Sequence, residues 1–396
     1  MAAVAPGADP RTLDVTLAPK EQEAVRAAIL GLDAWLDGMR QPGGYAGPVA
    51  HWWYDCLDYI GPGLDWRYEG IIIGYLNLWA ATGQQTWLAK ATRAGGDLMK
   101  GQLPSGNFRN SCFELNPNTG GTPHEAACDL ALLRLAEALR SQGDKTWEQY
   151  LQAAERNLHE FYLARLWDPA VRSFRDDPDM ASFVPNKSAT LAEALFALAR
   201  VREEPALVEQ YALPTLDAVM EHQITTGALE GAIHQNSFGH RKVAKFFPYY
   251  IARCIPGLME GLAWSGNDRY ARCANRAACF ILYQRYEDGS FPQVVYPGGH
   301  LNRYPQWIAA AGDMLHALDL SAAVGVVYDR TPTLRWLLDG QKPDGSIRTS
   351  FGFGRAVLKG TRTDPRDDMG VCGWADKAFR YLTNLMREDR IENATH

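Results

Sequence analysis

Several things are missing from this chain of 396 residues. No apolar run reaches the roughly 18 residues of a membrane-spanning helix, so no membrane association is expected. The Ala- and Pro-rich first ten residues lack a basic segment followed by an apolar one, so no secretory signal is expected there. There is no CxxC pair among the cysteines, which stand at Cys56, Cys112, Cys128, Cys254, Cys273, Cys279 and Cys372. Their odd number and their places in apolar helical patterns read as reduced core residues of a cytoplasmic protein. The histidines form neither HxxxH nor HExxH, and Gly352-Phe-Gly354 lacks the strand and helix that a phosphate-binding loop requires. No metal and no cofactor is therefore expected. Nor is there excess positive charge: 40 Lys and Arg against 46 Asp and Glu give a net charge of −6, which argues against a nucleic-acid surface.

What is present is a large apolar fraction, 46%, with 22% charged residues, enough for a sizeable core and too apolar for disorder. The chain also repeats itself. Gln102-Leu-Pro-Ser-Gly106-Asn-Phe108, Gln223-Ile-Thr-Thr-Gly227-Ala-Leu229 and Gln341-Lys-Pro-Asp-Gly345-Ser-Ile347 share the pattern Q-x-x-x-G-x-apolar. Arg285 to Phe291 matches it except at the first position, and looser relatives begin at Gln41 and Trp167. Successive starts lie 61, 65, 56, 62 and 56 residues apart, so six units fill nearly the whole chain.

Each unit carries one helix into the Gly turn, a loop, and then a second helix with a wide apolar face. The second helices are expected over about 67–81, 123–140, 187–201, 249–264, 305–318 and 374–387. Several end in another recurring turn, as in Ala81-Thr-Gly83-Gln-Gln-Thr-Trp87 and Trp264-Ser-Gly266-Asn-Asp-Arg-Tyr270, where Gly closes one helix and an aromatic anchors the next. Six such pairs predict an all-α (α/α)6 toroid, an inner ring of six helices wrapped by an outer ring of six. Residues 1–30 are expected to form an extension and the start of the first helix, and 31–396 one toroid domain. Strand patterns are scarce: 291–296 and 346–353 predict at most a minor hairpin.

These Gly-turn repeats resemble those of the six-hairpin, or (α/α)6-barrel, superfamily, whose turns often read T-G-D-x-x-[YW]. That superfamily includes glycoside hydrolases, polysaccharide lyases and sugar 2-epimerases. The Q-x-x-x-G-x-apolar repeats are also similar to those of terpenoid cyclases and protein prenyltransferases, which share the toroid. The resemblance implies an architecture and a carbohydrate-active enzyme as the leading expectation; a fold by itself assigns no reaction.

In such a toroid the long loops and the starts of the inner helices converge on one funnel. The first unit brings Trp53, Asp55, Asp58, Asp65, Arg67 and Glu69 to it, the second His124 and Glu125, the third Lys187 and Glu193. Arg303, Tyr304 and Trp307 come from the fifth and Asp376 from the sixth. Aromatic faces stack on sugar rings, carboxylates hold hydroxyls, and Arg or Lys pairs with acidic groups, so the lining suits an acidic saccharide.

The fourth unit offers the residue types of a β-elimination beside a uronic acid. Asn236 or Arg253 would neutralise the substrate carboxylate, His240 or His234 would remove the proton, and Tyr249 or Tyr250 would protonate the leaving oxygen. This set is similar in residue type to those of toroid polysaccharide lyases. A lyase acting on a uronic-acid-containing oligo- or polysaccharide is thus the expected function. Glycoside hydrolysis is the alternative, with Asp55, Asp58, Asp65 or Glu69 working against Glu125 or Asp376 across the funnel. A sugar epimerase would use paired histidines, with His124 and His316 as candidates. A terpenoid cyclase would need an acidic D-x-D-D segment or an Asp-rich magnesium site, and neither Asp364 to Asp368 nor Asp176 to Asp179 has that spacing. A binding toroid without catalysis would not need acid, base and cation in one cavity.

Overall fold

Inner and outer helices differ first in what they bury. The inner helix Pro185–Arg202 buries 13 of its 18 residues, from Pro185 and Asn186 to Ala199, whereas the outer segment Trp147–Arg156 buries only Tyr150, Leu151, Ala153 and Ala154. A helix apolar on nearly every side has to be covered on every side, and that difference sorts the helices into two rings.

In the computed structural model the residues described are 17–49, 59–109, 123–357 and 364–394. Twelve principal helices among them alternate outer and inner: α1 (Pro19–Gly38), α2 (Arg67–Thr82), α3 (Gln85–Lys100), α4 (Ala126–Ser141), α5 (147–166), α6 (Pro185–Arg202), α7 (205–221), α8 (248–265), α9 (Asp268–Gln284), α10 (Ala311–Leu320), α11 (Thr331–Asp339) and α12 (Cys372–Ala394). The even-numbered helices form the inner ring. Each packs on the next, from α2 through α4, α6, α8 and α10 to α12, and α12 returns to α2. The ring closes, as an (α/α)6 toroid requires. None of the described helices is long and apolar enough to cross a membrane. Cys128, Cys254, Cys273 and Cys372 are buried and Cys279 is exposed; Cys56 and Cys112 lie outside the described residues.

Two close approaches fix the ring where it closes. A Cβ on Gly70 of α2 would stand 2.2 Å from the Asp376 carbonyl oxygen of α12, and one on Gly312 of α10 would stand 2.3 Å from that of Lys377. Only glycine leaves room for these backbones.

The repeated glutamine acts as a staple. Gln102 donates to the Gly106 carbonyl of its own turn and to the Ala153 carbonyl of α5. Gln341 does the same with Gly345 and with Ala28 of α1, joining the last unit to the first. Gln223 reaches Cys273 of α9, but its turn partner is Gly231, and its backbone pairs with Ile233. The unit-four alignment on Gly227 and Leu229 is therefore corrected by four residues, which form an insertion between the glutamine and the true turn glycine.

Two other expectations are adjusted. Helix α10 begins at Ala311 rather than near 305, because Gln306–Trp307 is spent as a strand against Ser350–Phe351. In place of one hairpin, six small antiparallel sheets decorate the loops among the described residues. Helix α8 is interrupted between Ala252 and Ile255. Pro256 has no N–H to give the Ala252 carbonyl and its ring crowds that oxygen, so Arg253 is held in the break.

Candidate functional site

Four inner helices meet through a quartet of buried charges. Glu69 lies in the first turn of α2, Arg253 in the α8 break, Asp313 in the first turn of α10 and Arg380 two turns into α12. Arg253 bonds Glu69 at 3.0 Å and Asp313 at 3.3 Å, and donates to the Thr190 hydroxyl of α6 at 3.1 Å. Arg380 contacts Glu69 and bonds Asp313 at 2.6 Å. The Tyr249 hydroxyl donates to Asp313 at 3.2 Å. Two guanidiniums and two carboxylates balance, as buried ions must. Burial resists ionisation of Glu69, but Arg253, Arg380 and Lys377 outweigh it and hold the carboxyl down at about 2. Asp313 is likewise kept below the usual range by Arg380 and Arg253 against its own burial.

Around this ionised centre stand groups shifted the other way. Burial, reinforced by the charge of Glu69, pushes Glu193 of α6 up to about 7. Glu193 sits one turn beyond Thr190 and keeps part of its surface open to water. Asp376 is closed off; burial, with Asp313 and Glu69 adding to it and Lys377 at 2.7 Å opposing it, lifts its carboxyl to about 7. Its second oxygen, Oδ1, has no hydrogen-bond partner. His316, one turn beyond Asp313, is driven down to about 3 by burial and by Arg380, so its imidazole is neutral. The centre therefore holds protonatable carboxyls, ionised carboxylates and a neutral imidazole together, a pattern found where acid–base chemistry is done.

Above the quartet is an aromatic wall. Trp307 stacks on Trp374 with centroids 4.6 Å apart, Tyr249 lies 5.4 Å from Trp374, and Tyr250 lies 5.5 Å from Tyr249.

Of the residues singled out in the sequence, Glu69, Glu193, Arg253, Tyr249, His316 and Asp376 come together here, with Trp307 and Tyr250 beside them. Others are engaged elsewhere. Asp65 and Arg67 form a buried pair, with bonds of 2.7 Å from both Nε and Nη2, and Arg67 also donates to the Tyr45 carbonyl. Lys187 bonds Asp176 at 2.7 Å. His234 binds the His222 carbonyl and packs on Phe246, Asn236 accepts the Val243 N–H, and His240 is exposed at the turn between the strands Ser237–Phe238 and Arg241–Lys242. Glu125 is buried beside Asp129, whose carboxyl is raised well above the ordinary range by burial. Arg303 and Tyr304 lie at the outer edge of the Trp307 ribbon. Trp53, Asp55 and Asp58 lie outside the described residues, as does the side chain of His124.

Asp313, Thr190 and Arg380 escaped the sequence reading because they sit inside apolar helices rather than at loop ends. The signal was there: a lone carboxylate in Ala311-Gly-Asp-Met-Leu and a lone Arg in Ala378-Phe-Arg-Tyr-Leu each interrupt an otherwise apolar inner face.

No family model matches the chain, and no curated protein matches it. Solved structures do. A cellobiose 2-epimerase from Bacillus thermoamylovorans B4167 superposes with a TM-score of 0.70 at 13% identity, covering 93% of this chain and all (100%) of that one. An unsaturated glucuronyl hydrolase specific for heparin gives 0.65 at 16% identity, over 94% and 98% of the two chains. A polysaccharide lyase gives 0.61 at 12% identity, over 94% and 98%. The neighbours are carbohydrate-active enzymes of differing chemistry. The architecture of this chain is theirs, the (α/α)6 toroid.

Proposed function

We propose that this chain is a carbohydrate-active enzyme that cleaves a glycosidic bond by acid-assisted hydrolysis. One observation carries the reading. In one cluster Glu69 is clamped by Arg253 and Arg380 and held ionised, while Glu193, one turn beyond Thr190 and without an ion-pair partner among the described residues, is raised by burial and by the charge of Glu69. Hydrolysis needs that division, a protonated acid for the leaving oxygen and a fixed negative charge for the cationic transition state. Glu193 is the donor because it retains contact with water, whereas Asp376 is sealed. The oxygens of Glu69 and Asp313 are held by guanidiniums, so they are not free to act as nucleophiles, and water is the attacking group. The Trp307 and Trp374 wall is the stacking surface for a sugar ring.

Elimination is the second reading, favoured by the Tyr249 hydroxyl lying on Asp313 next to Arg253. There Asp313 would receive the Tyr249 hydroxyl proton as the phenolic oxygen takes the C5 proton, Tyr249 would pass that proton to the leaving oxygen and regain its own, and Arg253 would exchange one of its carboxylate partners for that of a uronic acid.

The test is incubation with a panel of neutral and uronic-acid oligosaccharides, following new reducing ends and the ultraviolet absorbance of an unsaturated product. Hydrolysis gives reducing ends alone, lost about 100-fold or more in Glu193→Gln. Its rate falls as pH climbs through about 7, where Glu193 gives up its proton. An absorbance rise abolished by Tyr249→Phe replaces hydrolysis with elimination. Interconversion of sugars without new ends overturns both and turns attention to the neutral His316.

A further inference from the structure

The outer edge of the Trp307 ribbon carries a ladder of arginines and aromatic rings that the cleavage chemistry does not use. Arg303 lies over the Tyr286 ring at 4.5 Å and the Tyr304 ring at 5.5 Å. Arg355 lies over the same Tyr304 ring at 5.4 Å and over Phe351 at 5.0 Å, and donates to the Tyr304 hydroxyl at 3.1 Å. The backbone is shaped for this ring. Gly352 has a φ of +90°, and a Cβ there would stand 2.4 Å from the Tyr304 ring.

Among the described residues the charge at this edge is unbalanced, two guanidiniums to one carboxylate. One aromatic ring serves two guanidiniums, which repel each other. Among the described residues Arg303 pairs with one carboxylate, Asp288, at 3.9 Å, and the other Asp288 oxygen is taken by the N–H and hydroxyl of Ser290. Among the described residues no carboxylate pairs with Arg355. A positive spot is thus held in place, exposed, on a protein of net charge −6. It is also continuous with the site: Trp307 faces the aromatic wall while its ribbon partner strand carries Phe351 outward, 38% exposed.

We propose that the Arg303–Tyr304–Arg355–Phe351 edge is a binding subsite for an anionic saccharide, one whose sugar rings bear carboxylate or sulfate. Stacked guanidiniums present their N–H edges for paired bonds to such groups, and Tyr304 and Phe351 offer ring faces to the sugar between them. This rests on the saccharide reading above and adds the charge of the substrate and the direction in which its chain leaves the funnel.

The experiment measures binding to the intact protein by titration calorimetry, with an oligogalacturonate and a neutral xylo-oligosaccharide of equal length, independently of turnover. The Arg303→Gln/Arg355→Gln variant should bind the acidic oligosaccharide about tenfold or more weakly and the neutral one unchanged, with Tyr304→Ala weakening both. Equal wild-type affinity for the two, or full acidic binding by the double variant, overturns the proposal. Arg272→Gln, at an exposed arginine of α9, serves as the charge control. Acidic binding that persists in it, and is lost in the double variant, upholds the subsite even if no cleavage is ever found.

Discussion

Asp376 shows how one carboxyl can serve the fold at one pH and strain it at another. Its pKa is raised from the ordinary 3.8 to about 7, so the folded chain holds a proton that the unfolded chain releases earlier. The stability this contributes is complete below about 4 and is lost as pH rises through 7, on the order of a few kcal/mol. Glu69 runs opposite: its lowered pKa stabilises above 4.5 and that gain disappears as pH falls toward 2. The melting temperature of the wild type should therefore decline between pH 4 and 7 more steeply than that of Asp376→Asn. Parallel curves would remove Asp376 as the cause. At this scale the sequence was a partial guide. Glu69, Arg253, Tyr249 and Asp376 stood near helix starts, where chemistry is looked for, and the folded chain brings them into one cluster. Asp313 and Arg380 looked like polar accidents in apolar helices, because only the closed ring places their side chains against one another.

Among the elements, backbone proximity decides more than side-chain choice. Helices α2 and α10 both lean on α12 through a glycine, and Gly70→Ala would put a methyl group against a carbonyl oxygen that belongs to a neighbouring helix. Such overpacking costs about 1–3 kcal/mol and sometimes more, and a fall in the denaturation midpoint at unchanged helix content would register it. Gly83→Ala, in the left-handed cap of α2 with nothing within 4 Å of its Cβ, is the comparison: it strains one turn without moving a helix. The helices themselves were legible, since Q-x-x-x-G at 102 and 341 and the Gly83 and Gly266 turns mark their ends by local chemistry. The exceptions have nonlocal causes. The start of α10 waits until Ala311 because residues 306–307 are claimed by a strand more than 40 residues later in the chain, and the true glycine of the fourth turn, Gly231, is recognised by its bond from Gln223 and its approach to Arg276 of α9.

The whole molecule is tied across its axis by the quartet of Glu69, Arg253, Asp313 and Arg380, with Thr190 as a fifth anchor. Removing one ion leaves its partners buried and uncompensated, so Arg380→Met should cost roughly 3–5 kcal/mol. Pairing it with Asp313→Leu and Tyr249→Phe should return part of that loss, read from the same denaturation curves. A single variant as stable as the wild type would mean that water reaches the quartet.

The glutamine staple between Gln341 and Ala28 brings the first and last units of the ring into one wall. A ribosome delivers α1 first and α12 last, so the first helix emerges with its apolar face waiting for neighbours that are more than 300 residues from being made. Until then α2, whose Gly70 and Gly74 are shaped for Asp376 and Phe379, has one flank bare. A ring built only in part leaves the flank of α2 that Gly70 and Gly74 shape for α12 facing water.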